Sequence, residues 1–143
     1  IDLVERDPAR ARLRITDHKT GKVRAERGVI VGGGRVLQPL LYAMAAERLL
    51  AAPVDSGRLY YCTLAGGFEE REVELNDQAR EAVAKTIATI AEAIETGFLP
   101  AAPGDRECAW CDYRMLCGPY EQRRSAMKPA ARLTKLRKLR EMK

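Results

Sequence analysis

Alternating apolar and polar positions near the start of the chain predict two β-strands. Residues 1–5 are rich in apolar side chains, and residues 12–19 alternate strictly between two faces. One face of the second strand is apolar at first and charged at its end, with Leu13, Ile15, Asp17 and Lys19 in order. The segment Asp7-Pro8-Ala9-Arg10 predicts a turn, because proline fixes its own φ and aspartate caps locally. We therefore expect the two strands to pair through this turn.

The pattern then changes to a helical repeat. Apolar residues recur every four positions between residues 37 and 50, which predicts an amphipathic helix that ends before Pro53. Short apolar segments at 28–31, 58–64 and 72–75 predict further strands.

A second helix is predicted to start at Asn76 or Asp77, either of which can cap a helix N-terminus. Its apolar stripe consists of Ala79, Val83, Ile87, Ile90 and Ile94. Gly97 is a candidate C-cap. Strands and helices in this arrangement predict an α/β domain with a central mixed β-sheet flanked by helices.

Composition agrees with one folded domain and excludes several other classes. The chain has 143 residues, of which 46% are hydrophobic and 31% charged, so disorder and fibrous structures are excluded. We see no apolar run of about 18 residues and no signal peptide, so we expect no membrane partner and a cytoplasmic location. Because the chain begins with Ile1 rather than methionine, we expect it to be part of a longer protein.

The positive charge is concentrated at the end of the chain. The net charge is +5, and residues 128–143 hold seven Lys or Arg and one Glu, a net charge of +6. Basic tails are often nucleic-acid-binding arms. A solvated helix without a partner is the other interpretation.

The sequence Asp17-His18-Lys19 is the sharpest candidate for chemistry. Alternation places the carboxylate and the ammonium on one face, at the end of a strand. Asp2 lies on the preceding strand, so its carboxylate can converge with that of Asp17 if the strands pair. Two carboxylates suit Mg²⁺, which uses few protein oxygens and keeps several waters, and a nearby lysine suits phosphodiester hydrolysis. A surface ion pair that leads into a turn is the alternative.

Two polar residues of the first helix are also candidates. Gln38 and Tyr42 are four positions apart and share a face beside the leucine stripe. They can contact a phosphate or the strand that carries Asp17, or can simply form a hydrogen-bonding edge of the helix. His18, the only histidine, alternates away from Asp17 and Lys19, so we interpret its side chain as structural.

Three of the four cysteines lie within ten residues. Cys108, Cys111 and Cys117 form a C-x₂-C-x₅-C run with Trp110 inside it. This spacing fits thiolates around a cluster or Zn²⁺, with a fourth ligand from elsewhere. Cys62 is predicted to be a buried, inert thiol.

Taken together, these motifs resemble the PD-(D/E)XK nuclease superfamily. The resemblance rests on Ile1-Asp2-Leu3-Val4, Ile15-Thr16-Asp17-His18-Lys19-Thr20-Gly21, the Q-x₃-Y pair and the cysteine run. It is closest to the RecB-like, iron–sulfur-containing nuclease domains of bacterial helicase–nuclease repair proteins. It implies a restriction-endonuclease-like core at 1–100 that lacks its N-terminal part, a cysteine-rich segment at 101–122, and a basic tail at 123–143.

The resemblance also implies roles for individual residues. Asp2, Asp17 and the carbonyl of His18 would bind Mg²⁺ or Mn²⁺, Lys19 would be the catalytic lysine, and the residues of the Q-x₃-Y pair would lie near the active site. The three clustered cysteines would supply three of four ligands to a [4Fe-4S] cluster in the intact protein, with the fourth upstream of this chain.

The function that the resemblance implies is metal-dependent cleavage of DNA, as an exonuclease in recombination and repair, with DNA and a helicase domain or subunit as partners. The alternatives are a non-catalytic DNA-binding or scaffolding relic of such a nuclease and a Zn²⁺-binding interaction module.

Overall fold

Four strands form a single mixed sheet in the computed structural model, which describes residues 1–104 and 106–143. The strands are β1 (Leu3–Asp7), β2 (Arg12–Lys19), β3 (Val54–Tyr61) and β4 (Glu70–Glu74), in that order across the sheet. β1 is antiparallel to β2, β3 is parallel to β2, and β4 is antiparallel to β3. This confirms the predicted mixed sheet, and the bounds of β2 match the prediction.

The sheet is flanked by helices, as predicted. The helices are α1 (Gln38–Leu50), α2 (Asp77–Glu95), α3 (Arg114–Cys117), α4 (Glu121–Ala126) and α5 (Thr134–Arg140). α1 connects the parallel strands β2 and β3, because a parallel pair requires a crossover. No helix among the described residues has the length and apolar character needed to cross a membrane.

The main core lies between one face of the sheet and helices α1 and α2. Its buried residues are Leu13, Ile15, Val31, Leu40, Ala43, Ala46, Val54, Leu75, Ala79 and Val83. α2 begins as predicted, since the Asn76 side chain accepts a hydrogen bond from the Ala79 N–H at 2.9 Å. It is followed by Gly97, which has a φ of 64° and takes the left-handed conformation common after helices.

A very close contact joins α1 to the sheet. A Cβ atom added to Gly57 in β3 would lie 2.0 Å from the carbonyl oxygen of Pro39, the second residue of α1. Only a glycine leaves room for this approach. Gly57 therefore sets how closely the N-terminus of α1 can pack on the sheet.

The opposite face of the sheet carries a network of charged side chains. Arg58 donates hydrogen bonds to Glu5 at 2.8 Å, Glu70 at 3.0 Å and the Thr16 hydroxyl at 3.1 Å. Glu5 also accepts two hydrogen bonds from Arg14. The Arg14 hydrogen bonds, with smaller contributions from Thr16 and Arg58, lower the pKa of Glu5 to about 2.

The strand predicted at 28–31 is wrong, because this segment forms turns and bends. Gly28 and Gly32 have positive φ values of 72° and 54°, which interrupt an extended strand. The N–H of Val31 bonds instead to the carbonyl of Lys143 at 2.8 Å. The third strand differs as well: it covers Val54–Tyr61 rather than 58–64, with Gly57 inside it.

The apolar stripe of α2 is buried only in its first part. Ala79 and Val83 are in the core, whereas Ile87, Ile90 and Ile94 are 44%, 40% and 63% exposed. Only the first turns of α2 reach the core beside the sheet, and its later turns extend beyond it. The repeat therefore predicted the helix correctly but overestimated its buried face.

The basic end of the chain packs against the loop before α1. Leu133 and Leu139 are buried, and the N–H of Gly33 donates to the carbonyl of Met142 at 2.8 Å. Asp105, which belongs to the predicted cysteine-rich segment, lies outside the described residues.

Candidate active site

The end of β2 carries the two side chains predicted to lie together. Asp17 and Lys19 are two positions apart in a strand, so they lie on the same face. The Lys19 Nζ lies 2.6 Å from the Asp17 Oδ2, and the Asp17 side chain is only 10% exposed. The carboxylate thus lies at the inner end of the site and the ammonium nearer its opening.

The first turn of α1 extends this pair into a continuous polar chain. The Lys19 Nζ donates to Gln38 Oε1 at 2.6 Å, and Gln38 Nε2 donates to the Tyr42 hydroxyl at 3.3 Å. Gln38 is the first residue of α1, and Tyr42 follows one turn later. The structure therefore brings together Asp17, Lys19, Gln38 and Tyr42.

The buried oxygen of Asp17 is suited to a metal ion. Asp17 Oδ2 is buried and lacks a hydrogen-bond partner among the described residues. The nearby Lys19 ammonium is close to it as a charge but is not aligned with it as a hydrogen-bond donor. The oxygen therefore carries a charge partner but no aligned donor, which leaves its lone pairs able to bind a divalent cation.

Asp2 lies beside the same strand. β1 pairs with β2 so that Leu3 is opposite Thr16, and continuation of this register places Asp2 opposite Asp17. The Asp2 carboxylate accepts the His18 N–H at 2.7 Å, and this hydrogen bond is the main reason that the pKa of Asp2 is lowered.

The donor set for a metal is small. No group of three or more His, Cys, Asp or Glu side chains that could hold a metal occurs in residues 1–104 and 106–143. Mg²⁺ commonly uses only one or two carboxylates and keeps several waters, so a site built on Asp2 and Asp17 would need no third carboxylate. The His18 ring packs edge-on against Tyr60, with centroids 5.8 Å apart.

The polar chain opens into a cleft of about 710 Å³. Its lining includes Lys19, Lys22, Arg24, Arg35, Gln38 and Tyr61. None of the predicted site residues was Lys22, Arg24, Arg35 or Tyr61. Lys22 and Arg24 directly follow the Asp-x-Lys motif, so the sequence could have indicated them. The position of Tyr61 in the cleft depends on strand pairing across about 40 residues, which no local pattern predicts.

Cys62 lies one residue after β3 rather than within the strand, and it is half-buried. Its N–H donates to the Lys19 carbonyl at 3.0 Å, and its Sγ lies 3.6 Å from the same oxygen. This contact continues the pairing of β3 with β2 and supports the backbone of Lys19.

The structure does not group the three clustered cysteines in a way that could hold a metal or cluster. Cys108 is buried, whereas Cys111 and Cys117 are exposed. This arrangement gives no support for a [4Fe-4S] cluster, so its presence stays a prediction.

One of the three comparisons with known proteins gave a match. The family model described as the PD-(D/E)XK nuclease superfamily matches residues 1–118, which include the polar chain, the cleft and the cysteine run. The comparisons with curated proteins and with solved structures gave no match.

Proposed function

Since the chain belongs to the PD-(D/E)XK nuclease superfamily, we propose that it hydrolyses DNA phosphodiester bonds with a divalent metal ion. The observation that carries this proposal is the continuous contact from Asp17 through Lys19 and Gln38 to Tyr42. It links the end of a strand to the start of a helix, and it supplies a carboxylate that suits a metal ion and a lysine that suits the charge developing on a phosphate.

Asp2 and Asp17 are the residues that would hold the metal ion, with the carbonyl of His18 as a third oxygen in keeping with the family resemblance. A bound divalent cation polarises a phosphoryl oxygen and lowers the pKa of a bound water. Mg²⁺ or Mn²⁺ fits a donor set of oxygens. The buried oxygen of Asp17 supports this assignment.

Lys19 is the residue proposed to act on the reacting groups. Its ammonium is held between the Asp17 carboxylate and the Gln38 amide oxygen, which limits its positions. A fixed cation there can orient the attacking water and offset the negative charge that develops on the phosphate.

Gln38 and Tyr42 position Lys19. Gln38 Nε2 donates to the Tyr42 hydroxyl, so the amide oxygen faces Lys19 and accepts a hydrogen bond from its ammonium. Without the contact to Tyr42, the Gln38 amide could rotate and turn its NH₂ group towards the Lys19 ammonium. Both groups are donors, so no hydrogen bond could form.

We further propose that the protein acts as an exonuclease in recombination and repair, together with a helicase domain or subunit. The support is the resemblance of the motifs to RecB-like nuclease domains. The iron–sulfur role of Cys108, Cys111 and Cys117 belongs to the same proposal, but the hydrolytic chemistry of Lys19 does not depend on it. Iron and sulfide analysis of the intact protein tests the cluster.

The test of the nuclease activity compares Asp17→Asn and Lys19→Met with Lys85→Met. Lys85 is exposed on α2 and pairs with Glu81, so its variant controls for the loss of a lysine. We expect each active-site variant to lower Mg²⁺-dependent cleavage of a labelled oligonucleotide by at least about 10²-fold. Thermal unfolding should show that the variants remain folded.

Wild-type cleavage rates in either active-site variant would contradict the assignment. A wild-type protein that binds DNA but does not cleave it with Mg²⁺ or Mn²⁺ would instead identify the non-catalytic relic.

A further inference from the structure

The segment between β2 and α1 forms a basic wall of the cleft. It places Lys22 and Arg24 in the cleft lining, which also includes Lys19 and Arg35 but contains no Asp or Glu among the described residues. A concave surface that carries cations and no carboxylates attracts a polyanion.

Two of these four cations already have partners. Lys19 contacts Asp17 and Gln38, and Arg35 forms an ion pair with Glu107.

Lys22 and Arg24 differ from those two. Both are exposed, and neither makes an ion pair with an acidic side chain among the described residues. These are the cations of the cleft that remain available for a ligand.

The backbone of this basic segment is anchored to the sheet. Tyr61 pairs with Lys19 in the β2–β3 register and is 4% exposed. Its hydroxyl accepts the N–H of Arg24 at 3.3 Å and the N–H of Ala25 at 3.2 Å. The Ala25 carbonyl accepts a further hydrogen bond from Arg71 at 2.9 Å.

This anchoring fixes the basic segment relative to the catalytic strand. Lys19 and Tyr61 are paired neighbours on β2 and β3. Because Tyr61 holds the backbone of Arg24, the position of Arg24 relative to Lys19 is fixed. Because its backbone is held in place, Arg24 loses less conformational freedom when its side chain binds a ligand.

We propose that Lys22 and Arg24 bind phosphate groups of the substrate strand next to the phosphate that is cut, and that Tyr61 is the residue that positions Arg24. The inference rests on the proposed nuclease function, because the strand it binds is the substrate of that reaction. Arginine binds phosphate through two parallel N–H groups, and lysine binds it as a point charge. Such contacts hold the strand without reading its sequence.

The experiment measures binding separately from cleavage. Fluorescence anisotropy gives the Kd for a mixed-sequence single strand of about 20 nucleotides, in the Asp17→Asn background, between about 50 and 200 mM salt. Arg24→Gln and Lys22→Gln are compared with Arg10→Gln, which removes the same charge from the exposed turn between β1 and β2.

We expect Arg24→Gln to weaken binding by about tenfold, as for loss of a hydrogen bond to a charged group. Each cleft variant should also reduce the slope of log K against log salt by about 0.7, the value for one phosphate contact on a single strand. In the cleaving protein, KM should rise while kcat stays unchanged. Slopes equal to that of Arg10→Gln for both cleft variants would overturn the inference.

The role of Tyr61 is tested by Tyr61→Phe. Because the charges remain, the salt slope should stay near the wild-type value while Kd rises several-fold. The effect should largely disappear when Arg24→Gln is also present, since the hydroxyl acts through Arg24. Additive effects on Kd, or no effect of Tyr61→Phe, would show that Tyr61 does not position Arg24.

These outcomes separate this inference from the proposed function. If the wild-type protein binds the strand through Lys22 and Arg24 but does not cleave it, the nuclease proposal fails and the phosphate contacts stand. If the protein cleaves DNA and both cleft variants have an unchanged KM, the nuclease proposal stands and the phosphate contacts of Lys22 and Arg24 fail.

Discussion

Replacement of Gly57 by alanine should damage both the stability of the fold and the proposed active site. A Cβ atom at this position would lie 2.0 Å from the Pro39 carbonyl oxygen, 2.4 Å from its carbonyl carbon and 2.8 Å from its Cα. All three are backbone atoms, so no side chain can rotate away. The N-terminus of α1 or the centre of β3 has to move.

The required movement is large relative to the site. An ordinary contact is about 3.4 Å or longer, so the separation of β3 and α1 has to increase by about 1.4 Å. Gln38 directly precedes Pro39, and its 2.6 Å contact with Lys19 would be lost by a shift of this size.

The cost in stability follows from the core beneath α1. Leu40, Ala43 and Ala46 are at most 2% exposed, and a shift of the helix disturbs their packing. Overpacking costs about 1–3 kcal/mol and occasionally more, and backbone contacts place this site at the upper end. About 3 kcal/mol corresponds to a fall in Tm of roughly 10 °C for a chain of this length.

Thermal and urea unfolding of Gly57→Ala and Gly21→Ala provide the assay. A Cβ atom at Gly21 has open space around it, so its variant controls for the glycine-to-alanine change in stability. Cleavage is then compared for Gly57→Ala and wild type well below their Tm values, where the lost Lys19–Gln38 contact should lower kcat. Stability of Gly57→Ala within about 0.5 kcal/mol of the wild type would refute the reasoning.

Two further predictions concern stability. Asn76→Ala removes the side chain that accepts the Ala79 N–H and should lower the free energy of unfolding by about 1 kcal/mol; urea unfolding checks this, and Asn76→Asp should restore most of the loss. Glu5 has a pKa lowered to about 2, so its ion pairs with Arg14 and Arg58 stabilise the fold fully above about pH 4.5 and less as the pH falls towards 2. The difference in stability between wild type and Glu5→Gln should therefore shrink by about 1–2 kcal/mol between neutral pH and pH 2, after allowance for partial exposure; a constant difference would contradict the ion-pair explanation.

Local patterns were enough to predict the strand that carries the candidate site. The alternation from Leu13 to Lys19 indicates both the bounds of β2 and the common face of Asp17 and Lys19, because the side-chain period of a strand is fixed. Gln38 and Tyr42 were placed correctly on one helix for the same kind of reason. The N-cap role of Asn76 could be predicted because its side chain bonds to the Ala79 N–H, only three residues away.

The features that sequence alone did not predict depend on distant contacts. The start of β3 was misplaced because Gly57 normally marks the end of a strand, whereas here the approach of α1 requires it. Val31 reads as part of a strand, but its N–H bonds to the end of the chain. The anchoring of Arg24 by Tyr61 joins residues 37 positions apart, and no local pattern encodes it.

The parallel pairing of β2 and β3 has a consequence for how the protein reaches its active form. β1 and β2 are joined by a short turn and can pair early, so Asp2 and Asp17 meet through local contacts. Lys19 and Tyr61 are about 40 residues apart, and their pairing requires the α1 crossover to close first, which costs loop entropy. High contact order slows folding. We therefore expect acquisition of activity to lag behind the first gain of secondary structure during refolding, with the hairpin formed and the cleft still open.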